Sequence, residues 1–121
     1  MGVCRPMKIE RVKYIIWAKN TPRAVAFYTD VFGGKVTRQN EHIAELDICG
    51  STLAIHSGGE DETTWTGLSF QVEDVIAGAA EVVAAGGLLR HEPMSDNPGE
   101  APHLAMCADP EGNQIMLFRK R

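Results

Sequence analysis

Few side chains in this 121-residue chain have types and spacing that suggest chemistry. The four histidines, His42, His56, His91 and His103, are scattered, without a paired spacing such as H-x-x-x-H. The three cysteines, Cys4, Cys49 and Cys107, are odd in number and lack metal-like spacing, so they read as free thiols, most simply as small core fillers. Lys13 and Trp17 are the second and sixth residues of Val12 to Ala18, a β-branched and aromatic run, and share its face with Ile15. Lys13 is either a strand-end lysine reaching water or, if desolvated, an amine of lowered pKa able to act as base or nucleophile. Trp17 is either core filling or a flat stacking surface with one N–H donor. The sharpest local signal is Asp109-Pro110-Glu111-Gly112-Asn113, a turn in which Pro110 presets φ and Gly112 can take positive φ. Gln114 to Phe118 follows as a strand, with Ile115 and Leu117 on one face and Gln114, Met116 and Phe118 on the other.

The elements that position these residues repeat. Asn20 or Thr21 caps a helix with Pro22 in its first turn and an apolar stripe of Ala24, Phe27, Tyr28, Val31 and Phe32, stopped by Gly33-Gly34. Strands are expected at about Lys35 to Arg38, His42 to Ile48 and Thr52 to His56, the last two joined by a turn at Gly50-Ser51. Ser57 to Thr64 is a polar linker. Gly67 to Val72 then begins again as a strand, Asp74 caps a second helix, and Gly86-Gly87 ends it. Gly33 and Gly86 are 53 residues apart, and Asn20 and Asp74 are 54 apart. Strands at Leu88 to His91, His103 to Cys107 and Gln114 to Phe118 complete the second unit. One domain spanning residues 1–121 therefore carries repeat one at about 8–57 and repeat two at about 65–120. Its class is α+β: two βαβββ modules forming a curved eight-stranded mixed sheet, helices outside and a trough inside. The loop Glu92 to Pro102 reads as a lid over the trough or as a surface excursion.

The closing turn and strand resemble those of the vicinal oxygen chelate superfamily, the glyoxalase and bleomycin-resistance proteins, whose pattern is D-P-D/E-G-N before a strand. Ala26-Phe27-Tyr28-Thr29-Asp30-Val31-Phe32-Gly33 is similar to the family's F-Y-x-x-x-L-G segment, and the likeness runs from about Lys8 to Lys120. The resemblance implies four trough positions that grip a divalent ion in metal-dependent members. Here they fall on Lys13, Ala54, Gly67 and Met116, none of which suits such an ion. It therefore implies no metal and no cofactor, and a small-molecule-binding protein of the bleomycin-resistance type acting as a homodimer. The expected ligand-binding residues are Lys13, Trp17, Glu45, His56, Gln71, Met116 and Phe118. The alternative is an enzyme, a glyoxalase-like lyase, extradiol dioxygenase or thiol transferase, using a rearranged His56, Glu45 and His103 metal site or no metal at all.

Bulk properties narrow the partners. A formal charge of −4, with no basic cluster before the Arg119-Lys120-Arg121 tail, gives no case for nucleic acid. No apolar run reaches about 18 residues, which argues against a membrane span. Met1 to Met7 is too short and polar for a signal peptide, so a reducing cytoplasm is expected.

Overall fold

The computed structural model describes residues 7–59 and 63–120. Cys4, the middle of the expected linker (Glu60, Asp61 and Glu62) and Arg121 lie outside them. Module one consists of β1 (Lys13–Ala18), α1 (Thr21–Phe32), β2 (Lys35–Gln39), β3 (Ile43–Ile48) and β4 (Ser51–Ser57). Module two consists of β5 (Thr64–Gln71), α2 (Val75–Ala84), β6 (Leu88–Leu89), β7 (Leu104–Ala108) and β8 (Asn113–Phe118). The eight strands form two four-stranded mixed sheets, ordered β1-β4-β3-β2 and β5-β8-β7-β6. In each, the first strand runs parallel to the last and the other neighbours are antiparallel.

Local chemistry sets the boundaries. The Asn20 side chain accepts from the Arg23 N–H at 3.0 Å, and Asp74 accepts from the N–H groups of Ile76 and Ala77, filling donors that a helix start leaves open. Alternation along β1 buries Ile16 and Ala18 and exposes Ile15 and Trp17. Helix-side residues of both modules, including Tyr28, Leu46, Ile55, Val82, Ile115 and Leu117, form one continuous core. Each fully buried Ile or Leu contributes about 1.5–3 kcal/mol by leaving water. Phe32 of α1 stacks on Phe70 of β5, with centroids 3.9 Å apart, so the modules share that core.

The predicted strand Leu88 to His91 is shorter than expected: only Leu88 and Leu89 pair, with Ala108 and Cys107. Arg90 still donates its N–H to Met106 O, but the chain then turns away ahead of Pro93. The 92–102 segment closes on itself through Ser95 Oγ to Glu100 O and Asn97 Nδ2 to Glu100 Oε1. Pro93 and Pro102 lie against α2, on the helix side of the second sheet. The ends of the segment thus lie beside α2, and Met94 bridges to Leu104 at the edge of the second sheet.

Candidate functional site

The helix-free face of module one is organised by register. Lys13, Thr52 and Asp47 stand in one row, Ile15, Ala54 and Glu45 in the next, and Trp17, His56 and Ile43 in the third. Ala54 has only a methyl group above the central strand, which leaves Lys13 free to cross β4 diagonally. Its Nζ reaches Glu45 Oε2 at 3.0 Å, and Arg11 Nη1 lies 3.5 Å from Oε1. Glu45 is 2% exposed, whereas the Lys13 side chain keeps 34% of its surface and that of Arg11 54%. The hydrogen bond from Lys13, above all, holds the Glu45 carboxyl below its ordinary range; burial opposes this, and the fields of Lys13, Arg11 and Arg38 add to it.

A depressed carboxyl pKa stabilises the fold above the ordinary value of 4.5 and loses that contribution as pH falls through the lowered value. Glu45→Gln is therefore expected to lower the urea midpoint by a constant small amount above about pH 5, with the gap closing in acid. A gap that widens on acidification would contradict the assignment.

One row further on, Trp17 meets His56 edge to face, with centroids 5.1 Å apart, and the backbone at Gly58 and Gly59 backs the indole. His56 Nε2 is buried without a hydrogen-bond partner. Trp17 itself is 51% exposed, so one side of the ring is available. On the module-two face, Ser69, Met116 and Met106 form one row, with Arg90 opposite Met106 at its end, and Gln71, Phe118 and Leu104 form the next. The structure thus groups Lys13, Glu45, Trp17 and His56 on the first sheet, and Gln71, Met116 and Phe118 on the second.

The donor set does not fit a divalent ion. Lys13 is tied to Glu45, Ala54 is a buried methyl, and Met116 is a soft thioether. Gly67 lies in a bulge of β5 at φ +73°, a left-handed conformation that strains any L side chain placed there. The rearranged set of His56, Glu45 and His103 is not assembled either: Glu45 is held by Lys13 and Arg11, and His103 Nε2 faces Asp96 at 3.3 Å. Among the described residues, no three His, Cys, Asp or Glu side chains gather to hold an ion. Cys107 is buried, and desolvation pushes its thiol up to about 11, too high for a nucleophile at neutral pH.

Sequence reasoning missed two features. One is a buried joint between the modules, where the Tyr28 hydroxyl donates to Asp109 Oδ2 at 2.6 Å and Asn113 Nδ2 donates to Trp17 O at 2.9 Å. Glu111 accepts from Asn20 N–H and pairs with Arg23 at the same place. The available signal was Tyr28 itself, a hydroxyl within an apolar stripe that must find a partner. The other is a cavity of about 680 Å3 at the opposite joint, lined by Tyr14, Phe32, Leu53 and Phe70, with Thr52, Ser69 and Gln71 from the helix-free faces.

A family model described as the Glyoxalase/Bleomycin resistance protein/Dioxygenase superfamily matches residues 8–117. Comparison with curated protein sequences gave no match. Among solved structures, a glyoxalase/bleomycin resistance protein/dioxygenase family enzyme from Burkholderia phytofirmans is similar at 19% identity and TM-score 0.72, covering 88% of this chain and 95% of that one. A mutant of the fosfomycin resistance protein FosX from Listeria monocytogenes, complexed with Mn(II) and 1S,2S-dihydroxypropylphosphonic acid, gives 18% and 0.74, covering 92% and 90%. The bleomycin-binding protein of Streptomyces verticillus, complexed with copper(II)-bleomycin, gives 18% and 0.67, covering 96% and 100%. At these identities the structural likeness establishes the fold alone.

Proposed function

The chain belongs to the glyoxalase/bleomycin resistance protein/dioxygenase superfamily, and from that membership we propose a small-molecule-binding protein that works without a resident metal. Its site is the trough of the two helix-free sheet faces, and its ligand is a small anion attached to an aromatic group. One observation carries this reading: Lys13 and Arg11 converge on the single carboxylate of Glu45, on the face that also presents Trp17. Two cations on one buried anion leave positive charge in excess, and a lysine ammonium has three donors, of which Glu45 need take only one. A ligand carboxylate, sulfonate or phosphonate would engage the free donors while its ring stacks on Trp17. Gln71, Met116 and Phe118 supply a neutral opposite wall of the kind small-molecule sites use.

Binding and release without chemical change then follow from the residues themselves. Glu45 orients Lys13, Lys13 and Arg11 attract the anion, and Trp17 excludes water from one side of the ring. In a Trp65→Phe background, naphthalene-2-sulfonate is expected to quench Trp17 emission saturably and to be recovered unaltered. Lys13→Gln should weaken it roughly tenfold, and raised salt should weaken it further. Dialysed protein offered Ni, Zn, Mn or Fe should take up well under one ion per chain. Stoichiometric uptake abolished by His56→Ala would overturn the metal-free reading.

A second reading has one observation behind it. His56 Nε2, buried and unpartnered beside Trp17, could carry a proton in a metal-independent reaction. Turnover of a bound compound, lost in His56→Ala, would select it. We further propose a homodimer, since Ile15 and Trp65 expose apolar surface that a second copy would cover, leaving Trp17 to the ligand. A cytoplasmic setting suits the free thiols Cys49 and Cys107. No helix among the described residues is long and apolar enough to cross a membrane.

A further inference from the structure

The two modules are joined twice, and the joints correspond through the repeat. Tyr14 pairs with Leu53 as Leu68 pairs with Ile115 when the strands of the two modules are matched, so Leu53 and Ile115 are equivalent positions. Counting back from them makes Ser51 equivalent to Asn113 and Gly50 to Gly112, and both glycines have positive φ, +85° and +88°. The turn of module two holds three residues between the paired Asp109 and Asn113, whereas that of module one holds only Cys49 and Gly50 between Ile48 and Ser51.

At the first joint the longer turn seals the core. Asp109, Glu111 and Asn113 bond across to Tyr28, Arg23 and the carbonyl of Trp17, and Ile16 and Ala18 beneath them are each 1% exposed. At the second joint the equivalent of Asp109 is Ile48, that of Asn113 is Ser51, and that of Tyr28 is Val82. The phenol–carboxylate bond has no counterpart there, and serine has two fewer side-chain heavy atoms than asparagine. Phe70 and Val72, the counterparts of Ile16 and Ala18, are only half-buried. The space left is the 680 Å3 cavity.

We propose that this second joint is a ligand site separate from the trough charge cluster, taking one uncharged small molecule with an aromatic ring and a hydrogen-bonding end. The volume lies within the range of roughly 300–1,000 Å3 usual for such sites. None of the described lining residues is charged, so an ionic ligand would lose hydration without a partner. The stacked Phe32–Phe70 pair and Tyr14 offer ring surfaces, while Ser51, Thr52 and Gln71 offer neutral donors and acceptors.

Cys49 lines this cavity as an exposed free thiol and provides the readout. In a Cys4→Ser background, 2-naphthol should bind at one per chain and slow alkylation of Cys49 by iodoacetamide several-fold. Ser51→Glu, which places a charge in the lining, and Ser51→Trp, which occupies it, should each weaken 2-naphthol about tenfold, with circular dichroism confirming the fold. Saturating naphthalene-2-sulfonate should leave 2-naphthol bound, so failure of the trough reading and failure of this one are separately visible. The proposal falls if 2-naphthol does not saturate, or if it binds with the Cys49 rate unchanged. It also falls if Cys49 protection follows protein concentration and dimer mass instead of probe, because a second copy would then fill the joint.

Discussion

Asp109→Ala is expected to cost about 3–5 kcal/mol of stability, a loss that few single substitutions in a domain of this size would match. The Asp109 carboxylate accepts four hydrogen bonds: from Tyr28 OH at 2.6 Å, Glu111 N at 2.8 Å, and Asn113 N and Nδ2 each at 3.0 Å. Alanine removes all four acceptor contacts at once and leaves the buried phenol and the Asn113 amide short of a partner. Burial keeps the Tyr28 phenol protonated well above its ordinary range, so it remains a donor that must be satisfied. Tyr28→Phe removes one bond and leaves three, and about 1–2 kcal/mol is expected. Because Asn113 also holds the Trp17 carbonyl, the alanine variant should change Trp17 emission in the folded state, whereas a substitution confined to module two should not. Urea unfolding followed by circular dichroism measures both losses, and an Asp109→Ala cost below that of Tyr28→Phe would refute the anchoring role.

The same carboxyl makes a pH claim with a definite sign. Burial raises its pKa above the ordinary 3.8, against the opposing hydrogen bonds from Tyr28 and Asn113. A raised value favours the protonated form in the fold, so the contribution is complete below 3.8 and falls as pH rises through the raised value. The stability of the native protein relative to Asp109→Asn should accordingly be highest in acid and fall towards neutrality. This is opposite in direction to the gap produced by Glu45→Gln, so the two carboxyls can be separated in one titration series.

Much of the architecture was legible because it is written locally. Asn20 and Asp74 announce helix starts, Asp109-Pro110-Glu111-Gly112-Asn113 announces a turn, and alternation in β1 and β8 assigns faces correctly. What escaped the reading depends on register. Lys13 and Glu45 meet because β4 lies between β1 and β3 and places Ala54 under the crossing, facts that no spacing along the chain encodes. The cavity is harder still, since it arises from the difference between two equivalent turns. Cys49-Gly50 on its own looks like an ordinary hairpin turn. Only beside the longer Asp109–Asn113 turn does it show that the side chains sealing one joint are missing from the other.

The paired glycines show how one local signal can stand for two physical demands. Both pairs read as helix stops that use left-handed backbone, and the first member fits: Gly33 sits at φ +69° with open space around its Cα. The second member does something else. A Cβ built on Gly87 would lie 2.5 Å from the Ala108 carbonyl oxygen and 3.0 Å from that of Val82, both backbone atoms that cannot rotate away. On Gly34 the nearest atom is Leu46 Cδ2 at 2.9 Å, the tip of a side chain that can yield, with Tyr28 O next at 3.1 Å. Gly33→Ala should therefore cost about 1–2 kcal/mol through left-handed strain alone. Gly34→Ala belongs in the overpacking range of about 1–3 kcal/mol, and Gly87→Ala should reach about 3 kcal/mol or more, because α2 must lift from β6 and β7 to admit a methyl group. Urea midpoints of the three variants test the order. Gly87→Ala proving milder than Gly33→Ala would mean that the helix-to-strand passage in module two has room to spare, and that close approach is not what glycine supplies there.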